Sequence, residues 1–528
     1  MQLTLSKNLR RINFKMQMKK KHNHQSLSEM QNRLKKEYSL KDLSSRENPL
    51  VQGSLNTKVT DLITDSRRVT PGSAFFAIQG LRNDGHDFVD EAIHRGAKTI
   101  ISKKIDDELP MGITAIKSEN PRLALAKFAK KYYDSPDRGL NIVGVTGTNG
   151  KTTVTTLARH LLERPGRPVG LIGTVRYHLG DREIPSFKTT PEASDIYPLL
   201  KSMLVAGCSE AVMEVSSHGI HQSRVHGLDL EVAVFLNLTR DHLDYQQNME
   251  SYYCEKRKIF NGENGKLPKV AVINVDCPYG KRLMEELPPQ VHVLTFGENQ
   301  NSDFRARNIL LSSSGAEFIL DGPFGSTVVS SPLLGRYNVM NLLASYAIVH
   351  ALSLNVSKVI HKISSFPGVD GRMETVDKGQ NYKVVVDYAH TPDALRNALS
   401  MLRECTPGKL HLVFGCGGDR DKGKRLEMTR VACAAADQVW ATSDNPRTES
   451  IDSIFSDMKK GVCKGAEVYF VEDRRRAIDL ALEAAEDEDC VLIAGKGHET
   501  YQEVQYTAIP FDDRLVASEL LDAKIFGG

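Results

Sequence analysis

A buried-strand pattern, Leu140-Asn141-Ile142-Val143-Gly144-Val145, runs straight into the turn Thr146-Gly147-Thr148-Asn149-Gly150-Lys151-Thr152-Thr153, and a helical stretch over 154–163 follows. Strand, glycine-rich turn and helix in that order commit the middle of the chain to a β-α unit. The loop N–H groups of such a unit gather at a helix N-terminus, where phosphate oxygens are taken. Glycines let those groups turn inward, Lys151 brings a point charge to the outer phosphates, and the Thr152 hydroxyl suits Mg2+. The first glycine, Gly144, stands one residue away from the usual GxxxxGK[ST] spacing. Nucleotide use alone leaves kinases, transporters, switches and ligases open.

The strand-then-helix rhythm continues on both sides. Ala211-Val212-Met213-Glu214-Val215, Val232-Ala233-Val234-Phe235-Leu236 and Val270-Ala271-Val272-Ile273-Asn274 are apolar runs with polar residues at their C-terminal ends. That is the pattern of a parallel sheet whose ligands collect at the strand ends. Upstream, Ala74-Phe75-Phe76-Ala77-Ile78 and Lys98-Thr99-Ile100-Ile101 alternate with glycine turns. Downstream, strands read at Lys383-Val384-Val385-Val386-Asp387, Leu410-His411-Leu412-Val413-Phe414 and Cys490-Val491-Leu492-Ile493-Ala494.

A chain of 528 residues is too long for one core. Breaks fall at Ser135-Pro136-Asp137 and at Phe366-Pro367-Gly368-Val369-Asp370-Gly371. The expectation is an α/β protein of three domains behind a basic extension over 1–35. A small N-terminal α/β domain covers 36–137, a central P-loop parallel-sheet domain 138–367, and a C-terminal Rossmann-like α/β domain 368–528.

Lys and Arg (69) nearly balance Asp and Glu (66), leaving a formal charge of +3 and no whole-chain attraction for nucleic acid or an anionic membrane. No apolar run approaches the roughly 20 residues of a spanning helix. The eight cysteines are scattered without CxxC spacing, which reads as reduced thiols in a cytoplasm. Residues 1–28 carry seven Lys and Arg and no acid, without the apolar centre of a secretory signal. They read as a disordered basic extension, or as the product of an upstream start with Met30 the true one, with an organellar transit peptide as the alternative.

Two strand ends add chemistry to the phosphate loop. Glu214 closes an apolar strand and precedes Ser216, Ser217 and His218, so a hard oxygen ligand suited to Mg2+ emerges beside the loop. After the next strand, Asn237-Leu238-Thr239-Arg240-Asp241-His242-Leu243-Asp244 offers His242 as a second ligand with acids to orient it. Lys256, in Tyr252-Tyr253-Cys254-Glu255-Lys256-Arg257, reads from charge alone as one cation on an exposed helix face.

The string Gly147-Thr148-Asn149-Gly150-Lys151-Thr152-Thr153, with the Glu214 and His242 motifs behind it, resembles the Mur ligases and their relatives the folylpolyglutamate synthetases. The resemblance runs from about Lys36 to the C-terminus, with Gln246 a departure where many relatives place glycine. It implies that Thr152, Glu214 and His242 hold Mg2+. It also implies that Lys256 is carbamylated, turning a cation into an anion able to hold a metal or orient the γ-phosphate. Asp65-Ser66-Arg67 and Gly80-Leu81-Arg82-Asn83-Asp84-Gly85 resemble a uridine-binding site, with Ser66 its best contact. Thr189, Thr190, Ser216, Gln222 and Arg224 resemble the positions that hold the muramoyl-peptide part of the substrate. Asn338, braced by Asn341, matches an adenine contact, and Arg372 and Asp387 match nucleotide contacts, with His390 facing the same cleft.

In the last third, Arg420, Asn445, Arg447, Gly495 and Glu499 resemble a diaminopimelate pocket. Arg447 and Arg420 would clamp a carboxylate, and Glu499 would accept an ammonium. Lysine has no distal carboxylate to pair with Arg447, so an arginine there rejects it. The expected function is an ADP-forming ligase that uses ATP and Mg2+ to join meso-2,6-diaminopimelate to UDP-N-acetylmuramoyl-L-alanyl-D-glutamate through an acyl phosphate, with closure of the C-terminal domain assembling the site. A cytoplasmic monomer is expected. The alternatives are a lysine-adding ligase of the same family, a folylpolyglutamate synthetase-like ligase, and a non-catalytic P-loop protein.

Overall fold

The computed structural model describes residues 36–44, 50–80, 83–105, 109–239, 246, 248–312 and 314–526. The basic extension and His242 lie outside the described residues. What is described forms two compact units, one taking residues up to 304 with 344–356, the other 305–343 and 357 onward.

In the first unit, strands β1 (Leu50–Gln52), β2 (Leu62–Ile63), β3 (Ala74–Phe76), β4 (Thr99–Ser102) and β5 (Thr114–Lys117) form a sheet in the order β1-β5-β4-β3-β2, antiparallel only at β1. Helix α1 (Pro121–Tyr132) starts where the Asn120 side chain accepts from Leu123 N at 3.1 Å and proline takes the first turn. Its buried Leu125, Phe128 and Tyr132 pack on Phe76 and in one cluster with Ile142, Tyr197 and Leu200 of the segment that follows. Each large apolar side chain so enclosed contributes roughly 1.5–3 kcal/mol.

That segment builds β6 (Asn141–Thr146), α2 (Lys151–Leu162), β7 (Val169–Ile172), β8 (Arg176–Leu179), β9 (Arg182–Pro185), α3 (Ala193–Val205), β10 (Glu210–Glu214), β11 (Leu230–Phe235), α4 (Met249–Arg257), β12 (Val270–Asn274) and β13 (His292–Gly297). The strands order as β9-β8-β7-β10-β6-β11-β12-β13. β7 through β13 in that order are parallel and the β8–β9 hairpin is antiparallel. β6, β10 and β11 are buried almost throughout, which is why they read as continuous apolar runs. Helix α2 buries Val154, Leu157, Ala158 and Leu161, the i, i+3, i+4, i+7 stripe of a helix lying on a sheet.

The second unit contains an antiparallel meander, β14 (Phe304–Ser312), β15 (Gly315–Gly322) and β16 (Gly325–Ser331), that the strand pattern did not announce. Its main sheet joins β17 (Lys383–Asp387), β18 (Leu410–Cys416), β19 (Gln438–Ser443), β20 (Glu467–Val471) and β21 (Cys490–Ala494) in parallel, ordered β17-β21-β18-β19-β20. The edge pair Glu374–Thr375 adds an antiparallel margin. Helices α5 (Pro392–Cys405), α6 (Gly423–Ala435), α7 (Ile451–Lys459), α8 (Arg474–Ala484) and α9 (Asp513–Phe526) accompany it. Three expected strands are present, and β19 and β20 extend the sheet. The fold class is α/β as expected.

Candidate functional site

Gly150 takes φ +88° and caps α2, so the loop between β6 and α2 closes as a P-loop should. A Cβ on Gly147 would lie 2.9 Å from the Leu236 Cβ, so only glycine lets the loop press on the chain after β11. That chain clasps the loop. Thr148 N donates to Asn237 O at 3.0 Å, Asn149 N to Asn237 Oδ1 at 2.9 Å, and Thr239 N to Thr148 Oγ1 at 3.0 Å. Lys151 Nζ folds over the loop and donates to Gly147 O (2.9 Å) and Thr148 O (2.8 Å). Thr153 follows half-buried on α2.

Glu214, at the end of β10, is 1% exposed and aimed at the loop: Thr152 Oγ1 donates to its Oε2 at 3.1 Å. Thr174 completes the setting, its N donating to Oε1 at 2.7 Å and its Oγ1 to Oε2 at 3.0 Å. A Cβ on Gly173 would come 2.6 Å from Oε1. The carboxylate and the Thr152 hydroxyl are neighbouring hard oxygen donors, a set that fits Mg2+.

Thr190 Oγ1 donates to Glu214 O at 2.8 Å and accepts from Ser216 N, and Thr174 Oγ1 lies 3.0 Å from Thr189 Oγ1. Arg224 Nη1 donates to Thr190 O at 2.7 Å, and its Nη2 donates to Gln222. Thr189, Thr190, Ser216, Gln222 and Arg224 are therefore one connected set around the end of β10. Arg224 also pairs with Glu192 at 3.1 Å. Burial opposes ionisation of Glu192, but Arg224, Lys188 and Arg122 outweigh it and hold the carboxyl below its ordinary range.

Lys256 is not on an exposed face. It is 1% exposed, because α4 is enclosed on several sides with Tyr252, Tyr253, Glu255 and Lys256 all buried. Its Nζ donates to Gly147 O at 2.9 Å, the carbonyl that also receives Lys151, and lies 4.7 Å from the Tyr252 ring centroid. Ser66 is buried in a short turn where its Oγ donates to Glu91 at 2.7 Å, while the Arg67 side chain is 79% exposed and paired with Asp65.

In the second unit, Asn338 donates to Leu334 O at 2.8 Å and accepts from Asn341 Nδ2 at 2.9 Å, so Asn341 braces it. Asp387 is pinned by Met373 N (2.8 Å) and Ala389 N (2.9 Å). Burial pushes its carboxyl above the usual range against the pull of Arg372. The Arg372 guanidinium lies 4.7 Å from the Tyr388 ring centroid, and the rings of His390 and His498 approach the same tyrosine at 4.5 and 5.1 Å. Burial holds His390 below its ordinary pKa; burial, with Arg372 and Arg514, brings His498 down to about 4.

The loops after β18, β19 and β21 gather Asn445, Arg447, Gly495 and Glu499. Asn445 Nδ2 donates to Glu499 Oε2 at 3.0 Å. Arg447, at φ +53°, donates from Nε to Glu503 Oε2 (2.9 Å) and from Nη1 to Gly418 O (2.8 Å). Glu449, two residues along the chain, binds Arg425 instead, whose guanidinium is fully buried. Gly495 takes φ +117°, and Arg420 is exposed on its loop.

Sequence reasoning passed over Thr174, Asn237, Lys496 and Glu503. Asn237 and Lys496 lay inside strings already marked for their neighbours, and their positions after strands were a usable signal. Thr174 and Glu503 carry none, since a turn and a hairpin deliver them.

Three family descriptions match the chain: "Mur ligase family, catalytic domain" over 58–140, "Mur ligase middle domain" over 145–349 and "Mur ligase, glutamate ligase domain" over 371–497. The UDP-N-acetylmuramoyl-L-alanyl-D-glutamate–2,6-diaminopimelate ligase of Listeria monocytogenes serotype 4b is 41% identical over 478 residues, 90% of this chain and 96% of the relative. Its Solibacter usitatus counterpart is 43% identical, covering 90% and 95%. A solved structure of a ligase of that name is 34% identical, with a TM-score of 0.67, over 93% of this chain and all of the other. A Mycobacterium tuberculosis folylpolyglutamate synthase shares only the fold, at 18% identity and a TM-score of 0.56 over 77% of this chain and 95% of its own. With the phosphate loop, the β10 carboxylate and the buried lysine in place, and identity above 40% across nine-tenths of its length, the chain belongs to the Mur ligase family.

Proposed function

We propose that the protein is an ATP-dependent ligase that joins meso-2,6-diaminopimelate to UDP-N-acetylmuramoyl-L-alanyl-D-glutamate in the synthesis of peptidoglycan precursor. The observation that carries the amino-acid assignment is the convergence of the Arg447 guanidinium, the Asn445 amide and the Glu499 carboxylate on neighbouring loops. Together they offer donors for a carboxylate and an acceptor for an ammonium, the two groups of a second amino-acid head. The names of the relatives similar along nine-tenths of the chain agree with it.

The side-chain carboxylate of the D-glutamyl residue attacks the γ-phosphorus of ATP, giving an acyl phosphate and ADP. The amine of diaminopimelate then adds to the acyl carbon, and phosphate leaves from the tetrahedral intermediate. Such phosphoryl transfer is carried by positioning and charge neutralisation. Lys151 and the loop N–H groups take the phosphate oxygens. Thr152 and Glu214, with His242, would hold Mg2+, which when bound neutralises phosphate charge. Thr189, Thr190, Ser216, Gln222 and Arg224 hold the peptidyl side of the nucleotide substrate and Ser66 its uridine side, while Asn338, Arg372 and Asp387 serve ATP.

Carbamylation of Lys256 is part of the proposal. Two ammonium groups sharing the Gly147 carbonyl repel one another, and converting Lys256 to a carbamate removes that repulsion. A cytoplasmic setting is part of the same proposal. No described helix is long and apolar enough to cross a membrane.

The test is incubation of purified protein with ATP, Mg2+, the UDP-dipeptide and either diaminopimelate or lysine. Amide product and ADP with diaminopimelate alone are expected. No product with either amino acid overturns the ligase, and equal turnover of both overturns the role of Arg447 while sparing the reaction.

A further inference from the structure

Lys496 is fully buried, one residue beyond the Gly495 turn that ends β21. An ammonium taken out of water costs several kcal/mol unless its partners restore its bonds, and an apolar side chain of similar volume would serve packing as well. Both of its hydrogen-bond acceptors are pocket residues. Nζ donates to Glu499 Oε2 and Asn445 Oδ1, each at 3.2 Å, and lies 3.6 Å from Asp444 Oδ1. Glu499 Oε2 receives a second donor, Asn445 Nδ2, at 3.0 Å, whereas Oε1 has no partner among the described residues. The Asn445 amide cannot reverse, because its Oδ1 also accepts from Glu503 N at 3.0 Å.

We infer that Lys496 is a positioning residue of the amino-acid pocket: with the Asn445 amide it occupies one oxygen of Glu499 and so dedicates the other to the ammonium of the incoming amino acid. The inference rests on the proposed function. It adds the source of the pocket's polarity. Two donors already converge on Oε2, so whatever stands there must be an acceptor, and the remaining position of the Glu499 side chain faces the ligand. Across the pocket, Glu503 and Gly418 hold Arg447 through Nε and Nη1, which leaves Nη2 for a carboxylate.

The inference makes an unusual demand on Glu499→Gln. The amide oxygen introduced must sit where Lys496 and Asn445 donate, which turns the amide NH2 toward the ligand's ammonium, donor against donor. Glu499→Ala leaves only space and water. The KM for diaminopimelate should therefore rise at least about tenfold more in Glu499→Gln than in Glu499→Ala, the reverse of the order expected for a simple loss of charge. KM values for ATP and the UDP-dipeptide should stay near wild type, and 2-aminopimelate, which lacks the distal amine, should not distinguish the two variants. Adding Lys496→Met to Glu499→Gln should shrink the excess, because only the Asn445 amide then holds the glutamine oxygen in place.

A KM in Glu499→Gln at or below that of Glu499→Ala, or additive effects of the two substitutions, overturns the inference. The Gln-against-Ala comparison keeps Lys496 and decides the matter even where Lys496→Met fails to fold. Wild-type protein that forms no amide with diaminopimelate overturns the proposed function and this inference together. Wild-type turnover with the wrong order of KM values overturns this inference alone.

Discussion

Arg474 and Asp513 form the most demanding ion pair of the second unit, and the replacement Asp513→Ala tests how the pocket loops are held. Both side chains are 0% exposed, and the pair is bidentate, Nε to Oδ1 and Nη2 to Oδ2, each at 2.7 Å. The same guanidinium donates to Ala494 O at 3.0 Å and Ser443 O at 3.3 Å, the last residues of β21 and β19. Asp444-Asn445 and Gly495-Lys496 begin immediately after those carbonyls. Removing the carboxylate leaves a buried guanidinium with two backbone acceptors and no carboxylate hydrogen-bonded to it, which costs about 3–5 kcal/mol.

Trp440, in β19, is the only tryptophan of the chain, so its fluorescence reports this unit alone. With a urea slope of roughly 1–3 kcal/mol per molar, the Asp513→Ala midpoint should fall by about 1–5 M. The double replacement Arg474→Met/Asp513→Leu, which leaves no orphaned charge, should recover much of that loss. A midpoint shift below about 0.3 M in Asp513→Ala, on the same slope, refutes the reasoning. So would a double variant less stable than the single one.

Gly173→Ala should lower kcat at least about tenfold with little change in melting temperature, because the added methyl displaces the Glu214 carboxylate rather than a core side chain; unchanged kcat would remove Thr174 and Glu214 from the phosphoryl step. Lys256→Ala should lose about a hundredfold or more in kcat and regain part of it with millimolar short carboxylic acids, measured by ADP release. Undiminished activity without rescue would take Lys256 out of the mechanism. The Arg425 guanidinium holds the Glu449 carboxyl down to about 2 from 4.5, so the pair stabilises the second unit fully above the higher value and loses that contribution as pH falls through the lower. Trp440-monitored urea midpoints should thus drop between those values by an amount worth on the order of 2 kcal/mol, and Glu449→Gln should flatten the drop.

Local pattern was enough for the strands, the phosphate loop and the residues at strand ends, because a buried parallel strand must be apolar along its length and must deliver its last side chain to the sheet's C-terminal edge. Glu214 and Asp387 were legible in that way, and Lys151 was legible from the loop itself. Long-range partners were not. Lys256 looked exposed because a helix with charges on several sides reads as solvated, yet other elements cover α4 from more than one direction. Glu449 stands only two residues from Arg447 in the sequence. The tertiary fold gives Glu449 to Arg425 and brings Glu503 to Arg447 across 56 residues.

The phosphate loop and the polar side chains at successive strand ends are therefore legible in the local sequence. The acceptor face of Glu499, the burial of Lys256 and the anchoring of the pocket loops on Arg474 were decided only by tertiary structure. Pairing of buried charges depends on which segments meet and which polar atoms are left over, and neither is a property of neighbours in sequence.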